Sequence, residues 1–148
     1  MIELLKMLLH RFEGIRLRPY LCPAGVPTIA GGATRYEDGT PVKLSDPPIT
    51  LERAEKLLDH DARVYAQGAL TLSPNLAPHA EKHAAVSDFC YNLGTTRYKS
   101  STLRRRIAAE DWEGAAAEAE KWVWGGGKKL PGLVRRRAVM ANLLTLRD

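Results

Sequence analysis

Six of the nine prolines in this 148-residue chain fall between residues 19 and 48, together with glycines at 25, 31, 32 and 39. Proline fixes φ and removes a backbone donor, and glycine is entropically costly in a helix, so a helix of ordinary length is excluded there. The same residues cut the segment into short runs such as "VPTIA" and "TPVKL", lengths that suit a small antiparallel sheet with tight turns. Few of them are large and apolar, so a lobe built from this stretch must lean on something else. That single feature rules out an all-helical chain and places a β-rich element early in the sequence.

Helical periodicity brackets it. Ile2, Leu5, Leu9 and Phe12 fall on one helical face and Glu3, Lys6 and His10 on the other, which predicts an amphipathic helix ending near Glu13-Gly14. Thr50 follows Pro47-Pro48 as an N-cap, with Glu52 in the first turn where the helix dipole favours a carboxylate. Ala54, Leu57, Leu58 and Tyr65 then carry an apolar stripe to about Gln67. Everything beyond reads as helix. Val86, Phe89, Cys90 and Leu93 are stopped by Gly94, and Trp112, Ala115, Ala116, Ala119, Trp122 and Val123 run to Gly125-Gly126-Gly127. Val134, Ala138, Ala141 and Leu144 form a last stripe. The expected class is α+β in one domain: a small β-lobe at about 14–50, a linking helix at about 51–67, and a helical lobe from 1–13 with about 68–148. A cleft is expected at the seam of the two lobes.

Length and composition narrow the functional classes. A chain of this size buries a proper core, and 45% apolar with 26% charged residues marks a soluble globular protein rather than a disordered one. The net charge of 22 − 17 = +5 favours an anionic partner: nucleic acid, a membrane surface or an anionic wall polymer. Cys22 and Cys90, far apart and outside any CxxC, read as two free thiols. The apolar start "MIELLKMLLH" is too short to span a bilayer, is interrupted by Glu3 and Lys6, and is followed by no cleavage site, so a protein that does not export itself is expected.

Several motifs fail on inspection. In "HAEKH" the glutamate is misplaced for a zinc-protease helix and no third ligand is near, so His79 and His83 read as a surface pair, with no metal and no cofactor expected. "GGGKK" lacks the spacing and hydroxyl of a phosphate loop. Arg104 to Arg106 and Arg135 to Arg137 read as solvated helix faces, since neighbouring aromatics keep core spacing; no nucleic acid is expected as partner.

Glu13, Cys22 and Thr28 differ through their placement. Singly, they read as a helix-end carboxylate, a small core filler and a strand threonine. Glu13, however, closes a helix just before the β-lobe, and a partly buried carboxyl at such a seam is suited to donate a proton at neutral pH.

The spacing Glu13-x8-Cys22-x5-Thr28 on "EGIRLRPYLCPAGVPT" resembles the Glu-x8-Asp-x5-Thr pattern of the phage-type lysozymes, the endolysins of glycoside hydrolase family 24, in some of which cysteine takes the aspartate's place. "TIAGGAT" at 28–34 stands where that family has TIGYGHT, "FCYNLG" at 89–94 matches F-x-x-N-x-G, and "SSTLRRRIAAEDW" at 100–112 matches S-T-L-x-x-x-L. "KWVWGGGKKLPGLVRRR" at 121–137 resembles W-x-x-x-G-G-x-x-x-x-G-L-x-x-R-R. The likeness keeps its order from Phe12 to about Leu144. Ala30, Gly31 and Ala33 replace the family's glycine, aromatic and histidine, and the extra glycine is expected to loosen the strand.

The resemblance implies a lysozyme-like fold and hydrolysis of the β-1,4 bond between N-acetylmuramic acid and N-acetylglucosamine, for phage-induced host lysis. It implies Glu13 as the acid that protonates the leaving oxygen, Thr28 as a group orienting the attacking water, and Cys22 beside that water as base, nucleophile or positioner. The implied partners are peptidoglycan glycan strands and a holin-type membrane protein, for a monomer held in the host cytoplasm until released to the periplasm. Two alternatives stay open: a lytic transglycosylase on a similar fold, which would not need Cys22, and a non-catalytic protein binding cell wall or nucleic acid.

Overall fold

The computed structural model of the chain describes residues 1–147. Its elements alternate little: helix α1 (Ile2–Glu13), strands β1 (Arg16–Leu21) and β2 (Pro27–Ala30), then helix α2 (Leu51–Leu72). A 3₁₀ turn at Pro74–Leu76 leads into helices α3 (Ala80–Leu93), α4 (Thr95–Lys99), α5 (Thr102–Ala108) and α6 (Trp112–Ala119). A short hairpin, β3 (Trp124–Gly125) and β4 (Lys128–Lys129), precedes helix α7 (Pro131–Leu144). The chain forms two compact units, one of Lys6–Val64, the other of Met1–Leu5 with the chain from Tyr65 on.

In the Lys6–Val64 unit, β1 and β2 pair antiparallel, with Tyr20 opposite Thr28 and Leu21 opposite Pro27. The ladder slips between Arg16 and Tyr20, where Pro19 has no amide to donate, and the Leu17 carbonyl accepts from the Ile49 amide at 2.9 Å instead. Bridges Ile29–Ala33 and Arg35–Pro41 extend the sheet character, as the glycine and proline punctuation requires. Ile29, Ala30, Ala33, Val42, Ile49, Ala54 and Leu57 make a small core of their own. Thr50 caps α2 as expected, its Oγ1 accepting from the Arg53 amide at 3.1 Å.

Two local readings change here. Gly31 lies just past β2, which ends at Ala30; it is buried, and a Cβ there would stand 2.6 Å from Leu58 Cδ1, so α2 fills the space that a side chain would take. Ala30 occupies left-handed backbone at φ +57, a conformation that its Cβ disfavours. Helix α2 also runs on past Gln67 to Leu72, and within that extension Gly68 lies against Thr95, where a Cβ would meet Cγ2 at 3.2 Å.

The unit from Tyr65 on holds the larger core, with Leu76, Val86, Phe89, Cys90, Tyr98, Leu103, Ile107 and Met140 all buried. Its polar chemistry departs from the sequence reading. His83 is not a surface residue; it is buried, and its Nε2 lies 2.8 Å from the Ala66 carbonyl oxygen. Nor is the second arginine triplet a solvated face. Arg136 is buried in a bidentate pair with Asp88, at 2.9 and 2.7 Å. Arg137 is fully buried over the Phe89 ring, its Nη2 donating to Asn92 Oδ1 and its Nε to the Trp122 carbonyl at 3.1 Å. Periodicity misassigned this face because it scored arginine as exposed: Val134 and Ala138 are the outward residues, and Arg136, Arg137, Met140, Ala141 and Leu144 face inward. The glycine triplet likewise does not end a helix, since α6 already stops at Ala119. Gly126 and Gly127, at φ +57 and +78, are the two central residues of a tight hairpin turn.

Candidate active site

The site residues lie on one short path through the Lys6–Val64 unit. Glu13 is the last residue of α1. Gly14, at φ +71, ends the helix and sends its amide back to the His10 carbonyl at 3.2 Å, so the chain reverses within two residues into β1. Glu13 is thus held half-buried at a rigid helix end directly before the hairpin.

Cys22 closes that hairpin. Its carbonyl accepts from the Gly25 amide at 2.8 Å and its amide donates to the Val26 carbonyl at 3.0 Å, enclosing the loop Pro23-Ala24-Gly25. Proline presets the turn and Gly25, at φ +77, takes the left-handed position, a three-residue hairpin loop with a glycine bulge. On β2, Thr28 sits opposite Tyr20, so Tyr20, Cys22 and Thr28 share one face of the ladder. Thr28 is buried, and its Oγ1 donates to the Val26 carbonyl at 2.8 Å.

Cys22 and Thr28 are thus neighbours across the hairpin end, flanking Val26. The Cys22 thiol is held below the ordinary thiol range chiefly by a backbone hydrogen bond at Val26; burial opposes this, and the Ala24 backbone and the Thr28 hydroxyl add smaller lowering effects. The Thr28 hydroxyl carries one proton. While that proton is on the Val26 carbonyl, its oxygen accepts from the thiol or from water, and stabilising a thiolate requires it to turn toward sulfur. Cys90 is the opposite case: a free thiol buried within α3 and pushed up to about 12, first by burial and then by Asp88.

Tyr20 joins this group, although nothing in the sequence singled it out beyond its i, i+2 spacing to Cys22 on a strand. Its phenol is raised above its ordinary value first by burial, with Arg16 opposing and the charges of Glu13 and Cys22 adding. The Arg16 guanidinium lies 4.3 Å from the ring centroid. Of the charges acting on this phenol, Arg16 has the largest effect and Glu13 and Cys22 smaller ones.

The remaining motif residues do different work. Phe89 packs edge-on against Trp122 at 5.4 Å and under Arg137, which also bonds Asn92. The "FCYNLG" and "KWVWGGGKKLPGLVRRR" segments thus knit the helical unit together. Among the described residues, no group of three or more His, Cys, Asp and Glu side chains is placed to hold a metal ion.

A model of the phage lysozyme family matches residues 10–139, a span that includes the whole hairpin. The chain belongs to the phage lysozyme family. It is 35% identical over 136 residues to the endolysin of Acyrthosiphon pisum secondary endosymbiont phage 1, covering 88% of each. Among solved structures, the endolysin from Escherichia coli O157:H7 phage FAHEc1 is similar, with 30% identity and a TM-score of 0.81 over 95% of this chain and 90% of that one. A mutant P22 lysozyme has 28% identity and a TM-score of 0.78, covering 95% of each chain. The α+β architecture of this phage lysozyme is lysozyme-like, as its sequence pattern implied.

Proposed function

We propose that this chain is a peptidoglycan-degrading muramidase for phage-induced host lysis, cleaving the β-1,4 bond between N-acetylmuramic acid and N-acetylglucosamine, with Cys22 in the place of the family's usual aspartate. The observation that carries the reading is the placement of Cys22 at the hairpin end, with Thr28 on the facing strand and Glu13 at the helix end that leads into the same hairpin. Glycoside cleavage needs an acid on the leaving oxygen and a group on the other side that activates water or attacks the anomeric carbon. Glu13 donates the proton to the leaving sugar oxygen. Cys22 serves the water side, where its lowered pKa raises the thiolate fraction at neutral pH. Thr28, fixed by its bond to the Val26 carbonyl, presents oxygen lone pairs that orient the thiol and the water.

The enzyme acts as a monomer and stays in the host cytoplasm until a holin-type partner opens the membrane. In support, the apolar face of α1 is committed to the folded protein: Leu5, Leu8 and Leu9 are buried, and Lys6 pairs with Asp59 at 3.3 Å. Among the described residues no helix is long and apolar enough to cross a membrane. Expression alone is expected to leave cells intact, with prompt lysis on adding chloroform.

Purified protein added to permeabilised Gram-negative cells should clear turbidity and release muropeptides with free reducing ends. Anhydro-sugar ends would indicate a transglycosylase, and binding without release of soluble products would indicate a non-catalytic protein.

A further inference from the structure

Trp124 stands out among the large apolar side chains. It is 64% exposed, whereas Trp112 and Trp122 pack against the helical core. Its position explains the exposure. The β3–β4 hairpin turns through Gly126 and Gly127, and a side chain at either glycine would meet nothing within 4 Å, so the turn projects into open space. Trp124 lies directly across from Lys129, and Gly125 pairs with Lys128. Both lysines are exposed, and among the described residues no carboxylate pairs with either. Below the turn, the hairpin is anchored: the Leu130 amide donates to the Val123 carbonyl at 2.9 Å, and Leu130 fills the space beside Gly125, where a Cβ would meet its Cδ1 at 2.6 Å. The hairpin therefore presents an open indole with Lys129 on the same face and Lys128 on the other, neither lysine paired with a carboxylate among the described residues.

We infer that this hairpin is a second contact for the peptidoglycan strand, with the Trp124 ring against the apolar face of a sugar and Lys128 and Lys129 toward the stem-peptide carboxylates. The inference rests on the muramidase reading, which supplies a polymer of that chemistry. An indole offers a large flat apolar surface at little entropic cost, which fits the C–H face of a pyranose ring. The lysines fit a polymer bearing one carboxylate-rich peptide after another, and their attraction is screened by salt. The hairpin carries neither a carboxylate nor a thiol, so the contact adds hold on the polymer without adding a reacting group.

Cosedimentation with purified insoluble sacculi tests this, run in Glu13→Gln protein so that cleavage does not release the complex. Trp124→Ala is expected to weaken binding by about five- to tenfold, the loss of one aromatic contact, and Trp124→Phe to restore most of it. Lys128→Glu with Lys129→Glu should weaken binding at low salt and make little difference at high salt. In the otherwise native enzyme, Trp124→Ala should raise KM on sacculi with kcat nearly unchanged and an unaltered melting temperature. Undiminished sacculus binding by both sets of variants in the Glu13→Gln background, while the native chain cleaves sacculi, would overturn the inference and leave the muramidase reading standing. Failure of the native chain to cleave or bind sacculi would remove that reading first. Hairpin-dependent binding to phosphatidylglycerol vesicles with unchanged binding to sacculi would assign the surface to a membrane and equally overturn the proposal.

Discussion

The two units of this chain treat polar groups in opposite ways. In Lys6–Val64 the groups with chemical potential stand on a four-residue strand, a hairpin end and a helix end, over a core of seven small and medium side chains. In the unit from Tyr65 on, the polar groups are sealed in: Arg136 with Asp88, Arg137 with Asn92 and Trp122, and Ser73 with Tyr98 at 2.6 Å. Both regions carry sequence signatures of the same family, yet only one set offers reactive groups. A conspicuous motif residue is thus a candidate for chemistry only where its polar atoms are left for a substrate.

The comparison breaks first at Glu13. Glu13→Gln keeps size and hydrogen bonding but cannot give up a proton, so lysis should fall by at least ~10²-fold with little change in melting temperature. Substantial activity in the folded variant would remove the acid from this helix end.

The helical unit should respond in the reverse sense. Asp88→Asn leaves the buried Arg136 without its counter-charge and should lower stability by about 3 kcal/mol, measured by urea denaturation, while activity per folded molecule at low temperature is retained. Replacing the pair together, as Asp88→Leu with Arg136→Met, should recover much of that loss. A loss of kcat without a loss of stability would place reacting groups in this unit and erase the contrast.

Smaller effects sharpen it. Cys90→Ala should lower stability by about 1 kcal/mol and leave the enzyme active, because the thiol is core packing. The same thiol gives an alkaline signature. Its folded pKa of about 12 lies above the value of a free thiol, so the folded state keeps a proton that the unfolded state releases. The native enzyme should lose stability as pH rises from about 9, and Cys90→Ala should show less of that loss. Ala30→Gly should raise stability by about 0.5 kcal/mol, the relief of a left-handed residue offset by the added freedom of glycine in the unfolded chain.

How much of this was legible beforehand follows the same division. The α1 end at Glu13-Gly14, the β-lobe and the Thr50 cap were readable because proline, glycine and capping residues act locally. The hairpin placing Cys22 near Thr28 is encoded in Pro23-Ala24-Gly25. Tyr20 was not found, since only strand register sets it opposite Thr28. Arg136 and Arg137 were misjudged for a related reason. Their burial depends on Asp88, Asn92 and Trp122, residues up to 48 positions away that accept most of the guanidinium hydrogen bonds. Hydrophobic periodicity carries no information about such partners.

The central claim is that the Cys22 thiol, and not Cys90, serves the reaction. Alkylation by iodoacetamide, followed jointly by residual activity and by peptide mass mapping across pH, tests it most directly. Cys22 should react alone, with a half-maximal rate at a pH below that of an ordinary thiol, and activity should disappear in proportion to its modification. A soluble glycan fragment should slow both. Cys22→Asp should resist the reagent and keep substantial activity, while Cys22→Ala should lose much of it. Full activity in an enzyme completely alkylated at Cys22, or in Cys22→Ala, would contradict the account.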